Sequence, residues 1–451
     1  MTLMYEDIQL GERLTQQYLK KQPLDVGHPT YLNTRPFFAN LNVTDAVMAA
    51  VLGKLNILLV GDTGKGKTQL ASDIYNYLFN GNMKEQGSGV WMKGRPDLEV
   101  YTEIFTEINI DKARRDLTEK IEAMIYVVDE LNRCPSATQN QFFGMGDGTM
   151  DYNGRTISLG RDGYAICIGT ANIGNGEFKG TFDTDKALYG RMHVAFDFDH
   201  NNFKPTREDS MIIDALHEAD PRVKQSKKRD QTADVLAAYA AIKELAAHPS
   251  LEMLAAINYI RFGLDNCRKE AGAKEKNWPG ACQDCDHNKD GRALCSYINT
   301  PVIRTTKAIR LYSAALQFVA ELKDPKVEMD TTDLVFKVFE VTGAYQELLN
   351  PLLLRQNFNG HNPKMMKEVV EKLKVDYMSV KDYILAALYE AQQGNRVTRF
   401  FKKGDTLGSY DDLSDEKKPS FTKEEPFTDA TKTGIGMQWV VDQVELIIKA
   451  R

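Results

Sequence analysis

The run Gly61-Asp62-Thr63-Gly64-Lys65-Gly66-Lys67-Thr68 satisfies the spacing G-x-x-x-x-G-K-[ST] at every fixed position. Glycines at those places let backbone N–H groups close around a phosphate chain, and a helix starting at the end of the run adds its positive dipole. The spacing assigns Lys67 to the β- and γ-phosphates of a nucleotide and the Thr68 hydroxyl to Mg2+. Lys65 belongs to the cradle and is not the phosphate lysine. The flanks agree: Asn56 to Val60 is a short apolar run suited to a buried strand, and Lys67 to Phe79 is helical in pattern.

A second apolar run, Ile125 to Val128, ends in the paired carboxylates Asp129 and Glu130, 62 residues after Lys67. Beside the glycine-rich loop, at the carboxyl edge of a common sheet, Asp129 would hold Mg2+ through water. Glu130 would polarise the water that attacks the γ-phosphate. An isolated strand ending in Asp-Glu means only a strand meeting solvent, so ATP hydrolysis rests on the two features together.

The elements that must position these groups follow from the pattern. Tyr164 to Gly169 and Val194 to Phe198 read as two more buried strands, and Val43 to Gly53 as a helix. Strands alternating with helical stretches predict a parallel α/β sheet. Met150 to Leu159 alternates around Asn153-Gly154, a strong hairpin signal. Beyond Ala233 the chain reads as helices: Ala233 to Ala247, Leu251 to Phe262, Arg304 to Leu322 and Thr332 to Leu349, with further helical pattern from Asn359 to Glu390. Asn395 to Ala430 reads as a long loop or flap, and Gln438 to Ala450 as a last amphipathic helix.

The chain has 451 residues, long for one compact domain, with 57 Lys plus Arg against 63 Asp plus Glu. A net charge of -6 argues against a dedicated, sequence-independent nucleic-acid binder, although a local basic channel is compatible with it. No apolar run approaches the roughly 18–20 residues needed to span a bilayer. The acidic first residues (Glu6, Asp7, Glu12) do not resemble a signal peptide, so a cytoplasmic location is expected. Four of six cysteines fall close together as Cys267-x14-Cys282-x2-Cys285-x9-Cys295, with His287 just beyond the close pair. In a reducing compartment that cluster suggests a metal staple for an irregular excursion. Zinc is the first choice and an iron–sulfur cluster the second. Cys134 and Cys167 read as buried core thiols.

At Asp129-Glu130-Leu131-Asn132-Arg133-Cys134-Pro135 the sequence resembles the MoxR-like group of AAA+ ATPases, close to its D-E-[IL]-N-R-x-P signature. Gln139 to Asp147 and the following hairpin are similar to the helix and hairpin that this group inserts before its next strand. The resemblance implies that Asn172, closing Gly169-Thr170-Ala171-Asn172, is the sensor-1 asparagine that positions the attacking water. It implies that Arg191, within Leu188-Tyr189-Gly190-Arg191-Met192, is an arginine finger acting on a neighbouring subunit, hence a homo-oligomeric ring, most often a hexamer. Arg304, after Pro301-Val302-Ile303, is the implied sensor-2 residue. Gly190 departs from the acidic residue usual before the finger, and Lys307 and Arg310 compete with Arg304.

The expected architecture is a P-loop AAA+ parallel-sheet core with a helical lid carrying a cysteine-rich insert, followed by a helical C-terminal extension. Its divisions are an arm over 1–36, the core over 37–205, the lid over 206–349 with the four-cysteine insert at 266–297, and the extension over 350–451. The group generally acts chaperone-like on client proteins, often beside von Willebrand A-domain partners, and that is the expected function. The alternative is a nucleic-acid-stimulated motor or defence ATPase, with Lys402-Lys403 or the charged stretch from Lys224 to Arg229 lining a channel. A nucleotide-dependent scaffold without turnover is the third reading.

Overall fold

The computed structural model describes residues 35–79, 89–111, 114–172, 182, 184–200, 203–204, 206–208, 211, 230–265, 294–378, 381–392, 400–403 and 406–409. Two compact units share the chain. The first gathers Met1–His248, Leu311–Met329 and Tyr345–Glu347, and the second Pro249–Arg310, Asp330–Ala344 and Leu348–Arg451.

The first unit is built on a five-stranded parallel sheet. Its entry is a two-stranded ribbon, β1 (Pro36–Phe38) and β2 (Leu41–Asn42), leading into helix α1 (Val43–Leu52). The start of α1 is fixed by a capping box: Asn42 Oδ1 accepts from the Asp45 amide, and Asp45 Oδ2 accepts from the Asn42 amide, both at 2.8 Å. Strand β3 (Ile57–Val60) is wholly buried, as a strand flanked on both edges and both faces must be. It feeds α2 (Lys67–Phe79), then β4 (Gly89–Lys93). A small antiparallel pair, β5 (Thr106–Asn109) and β6 (Arg114–Leu117), precedes β7 (Ile125–Asp129). Helix α3 (Ser136–Asp147) leads to the hairpin β8 (Thr149–Tyr152) and β9 (Arg155–Ser158). Both turn residues have positive φ, +49° at Asn153 and +73° at Gly154, which is the type I′ geometry that Asn-Gly favours. After β10 (Ile166–Ala171) come the short α4 (Lys186–Tyr189), β11 (Val194–Asp197) and α5 (Thr232–Ala247).

The strand order is β11-β3-β10-β7-β4, every neighbour parallel. Four of the five strands match those expected, each within about two residues at its ends. The fifth, β4, is the edge strand beside β7 and is not among those expected from the pattern, nor is the β5–β6 pair.

The second unit is mostly helical among its described residues. It contains α6 (Leu251–Asp265), α7 (Leu294–Tyr297), the first residues of α8 (Ile303–Lys323), α9 (Thr331–Gly343), α10 (Pro351–Phe358), α11 (Asn362–Met378) and α12 (Lys381–Gln392). The rest of α8 belongs to the first unit. Helix α9 stops at Gly343 and does not run on to Leu349. Leu349 instead forms an isolated antiparallel bridge with Ile298, and the Asn299 amide donates to Leu348 O at 2.7 Å. The expected loop after 395 contains a hairpin, β12 (Phe400–Lys403) with β13 (Thr406–Ser409). The final helix expected at 438–450 lies outside the described residues. No described helix is long and apolar enough to cross a membrane.

Candidate nucleotide site

In an all-parallel sheet the carboxyl ends of the strands share one edge, and ligands bind in the crevice beyond it. Register brings Val60 level with Ala171 and with Asp197, and Asp129 level with Lys93. The glycine-rich loop after β3, the carboxylates where β7 ends and Asn172 after β10 therefore emerge together.

The loop needs its glycines. Gly61, Gly64 and Gly66 have φ of +143°, +77° and +88°, backbone that residues with a Cβ adopt only under strain. Lys67 is 5% exposed, and its ammonium donates to the carbonyls of Gly61 (2.8 Å) and Asp62 (2.7 Å), so the side chain folds back across the loop it serves. Burial pushes the Lys67 ammonium below the usual lysine range. Asp199, Asp62, Asp129 and Glu130, in that order, pull it back up. Asp62, Thr63 and Gly64 are exposed, while Lys65, Gly66 and Thr68 are half-buried. One further carboxylate carries no motif signature. Asp199 Oδ2 accepts from the Asp62 amide at 2.7 Å, and the Asp199 amide donates to Asp197 Oδ1 at 2.9 Å. Asp197 Oδ2 in turn accepts from the buried Tyr345 hydroxyl, whose proton is held tightly by burial and by that carboxylate. A chain of hydrogen bonds thus runs from Tyr345 to the phosphate loop.

The Thr68 hydroxyl donates to Asp129 Oδ1 at 2.9 Å, which puts the two expected Mg2+ residues in direct contact. Hard oxygen donors of this kind, a hydroxyl and a carboxylate beside a phosphate cradle, suit Mg2+, which keeps most of its waters. Asp129 Oδ1 also accepts from the Thr170 hydroxyl at 2.8 Å, and Thr170 Oγ1 accepts from the Glu130 amide at 2.8 Å. Glu130 adopts left-handed backbone, φ +58° and ψ +48°, where the chain turns sharply off β7. Its carboxylate pairs with Arg133 at 3.0 Å. The turn is pressed close to Gly94: a Cβ at Gly94 would lie 2.2 Å from Glu130 O, and the Gly94 amide donates to Asp129 O at 2.6 Å. Asn132, 4% exposed, grips Asn172 by its backbone, donating to Asn172 O at 2.9 Å and accepting from the Asn172 amide at 3.2 Å. Asn132 and Thr170 lie inside the quoted motifs, but the motifs alone give neither a task.

Arg191 follows α4. Its Nε donates to Asp147 Oδ2 at 2.8 Å, its Nη1 to Ala187 O at 2.8 Å, and its guanidinium lies 4.4 Å from the centre of the Phe143 ring. Asn56 Nδ2 donates to the carbonyls of Arg191 (2.8 Å) and Gly146 (2.7 Å), so this buried amide fixes the turn that carries the guanidinium. Arg304 is the second residue of α8 and belongs to the second unit. Cys267, Cys282, Cys285 and His287 lie outside the described residues, as does the side chain of Cys295. Among the described residues no group of three or more His, Cys, Asp or Glu is placed to hold a metal ion. Cys134 and Cys167 are buried free thiols, and burial pushes the Cys167 thiol up to about 12.

Residues 56–192 match the AAA domain of the dynein-related subfamily. That span opens at the base of β3 and takes in the loop, the carboxylates, Asn172 and Arg191, so the chain carries an AAA-type nucleotide-binding domain. Among solved structures, a candidate ATPase from Cytophaga hutchinsonii aligns with a TM-score of 0.52 over 73% of this chain and 88% of that one. At 15% identity the likeness is one of fold. None of the curated proteins matches the chain.

Proposed function

We propose that the protein is a Mg2+-dependent ATPase of the MoxR-like AAA+ type, working as a homo-oligomeric ring, hexameric by analogy, that remodels or activates a client protein. The observation that carries hydrolysis is the contact of Thr68 with Asp129, one residue from Glu130 and joined through Thr170 to the strand that Asn172 follows. The loop amides and Lys67 bind the phosphates. Thr68 and Asp129 would hold Mg2+, which supplies charge neutralisation at the phosphate oxygens when bound. Glu130 takes up the proton of the attacking water as its oxygen bonds to the γ-phosphorus and the bond from that phosphorus to the β–γ bridging oxygen breaks, so that ADP and phosphate leave; Asn172 orients that water. Arg191 serves a neighbouring subunit's site, and Arg304 keeps the sensor-2 role that the family resemblance implies.

The AAA-type domain and the sheet geometry support the ATPase reading; the client role rests on the D-E-L-N-R-C-P resemblance, with a von Willebrand A-domain protein the expected partner type. The four cysteines at 267, 282, 285 and 295 form a zinc staple in this reading, detectable as about one zinc ion per chain by elemental analysis of purified protein. ATP turnover measured with and without nucleic acid across a salt series tests the client role. Stimulation by DNA or RNA that fades with salt would replace it with a motor.

A further inference from the structure

Resting on the ATPase reading, we infer that Thr170 and Asn132 are positioning residues that lace the ends of β7 and β10 into one body. They thereby fix the distance between the base Glu130 and the water-orienting Asn172.

The two lacings are distinct in chemistry. Thr170 is 1% exposed, and its single hydroxyl acts in both directions: it donates to Asp129 Oδ1 (2.8 Å) and accepts from the Glu130 amide (2.8 Å). A hydroxyl is the smallest side-chain group able to do both. It therefore ties the carboxylate next to Thr68 to the backbone of the residue that activates water. It also occupies the donor that the left-handed turn at Glu130 turns toward β10. Asn132 does the equivalent for the other partner. Its carboxamide matches the Asn172 peptide group donor to acceptor and acceptor to donor, a two-point clamp that leaves that peptide one orientation. Both residues act on the phosphate site through the residues they hold, and a displacement of about 1 Å between base and water costs on the order of a hundredfold in rate.

Thr170→Val keeps the shape of a buried, β-branched strand residue and removes only the hydroxyl. The expected result is a kcat lower by roughly tenfold or more, with nucleotide affinity (a fluorescent ATP analogue at equilibrium) unchanged within about twofold. The Mg2+ concentration for half-maximal turnover rises several-fold, because Asp129 loses its fixed oxygen, and Thr170→Ser restores both values. Asn132→Ala lowers kcat similarly and leaves the Mg2+ requirement where it was. If Asn132→Ala does not fold, the Thr170→Val and Thr170→Ser pair decides alone. Full turnover in Thr170→Val overturns the inference. So does an unmoved Mg2+ requirement, a Thr170→Ser protein as slow as the valine variant, or a loss of affinity in step with kcat. Glu130→Gln keeps the two failures apart: if it turns over normally, the ATPase assignment of Glu130 falls, and if it is silent while Thr170→Val runs at full rate, only the lacing falls.

Discussion

Lys67 carries its charge where burial works against it. Four carboxylates, Asp199 foremost, hold the ammonium protonated, yet burial leaves it below the ordinary lysine range. ATP bound as proposed would bring further negative charge, so binding and protonation would reinforce each other. The sign follows: raising the pH through that lowered value removes the proton from the empty site and weakens nucleotide binding. An affinity–pH curve should fall on its alkaline side before free lysine would titrate; a curve flat through the ordinary lysine range contradicts the assignment. At this scale the sequence was informative, because the identity and spacing of Gly61 to Thr68 and of Asp129-Glu130 pick out residues that the fold brings into contact. Asp199 and Gly94 were not legible. Each matters through a contact made only in the fold, Asp199 with the Asp62 amide and Gly94 with Glu130 O.

Among elements, the tie between α1 and the latter part of α8 is a buried charge pair. Lys323 donates to Asp45 Oδ2, while the Tyr312 hydroxyl donates to Ala46 O at 2.9 Å. Burial pushes the Asp45 carboxyl up, with Lys323 and the Asn42 amide pulling it down. A raised folded value means the protonated carboxyl suits the fold better, so its contribution is complete in acid and lost as pH climbs through the folded value. Lys323→Ala strands the carboxylate and enlarges that loss. Denaturant unfolding should show about 3 kcal/mol less stability near neutral pH and a smaller deficit in mild acid. An equal deficit at both would contradict it. The elements missed from sequence share a cause. Strand β4, Gly-Val-Trp-Met-Lys, opens on a glycine packed against the Tyr75 ring and closes on an exposed lysine, too short for a period to register. The β5–β6 pair buries no continuous face, and Ile108 is 68% exposed, so no alternation marks it. Leu348 and Leu349 extended an apolar pattern past α9 because they are buried, although not in a helix.

At the scale of the molecule, Arg191 decides between a ring and a self-sufficient chain. Within its own chain the guanidinium is held by Asp147, Ala187 O and the Phe143 ring, an arrangement that presents it in a fixed direction. If it completes a neighbour's site, Arg191→Ala lowers ATP turnover by about a hundredfold or more. Mixing that protein with equally inactive Glu130→Gln chains then restores part of the rate, since mixed interfaces pair an intact finger with an intact base. No recovery on mixing would make Arg191 a structural residue of its own chain.

The chain is proposed to hydrolyse ATP at the edge where the phosphate loop meets Asp129 and Glu130. That activity is tested most directly by steady-state phosphate release from the full chain with Mg2+ beside folded Lys67→Ala and Glu130→Gln proteins, with nucleotide binding measured in parallel. Turnover is expected in the unaltered chain and none above background in either variant. Glu130→Gln should still bind ATP and Lys67→Ala should bind it weakly or not at all. Undiminished turnover in a folded Glu130→Gln protein would contradict the proposal.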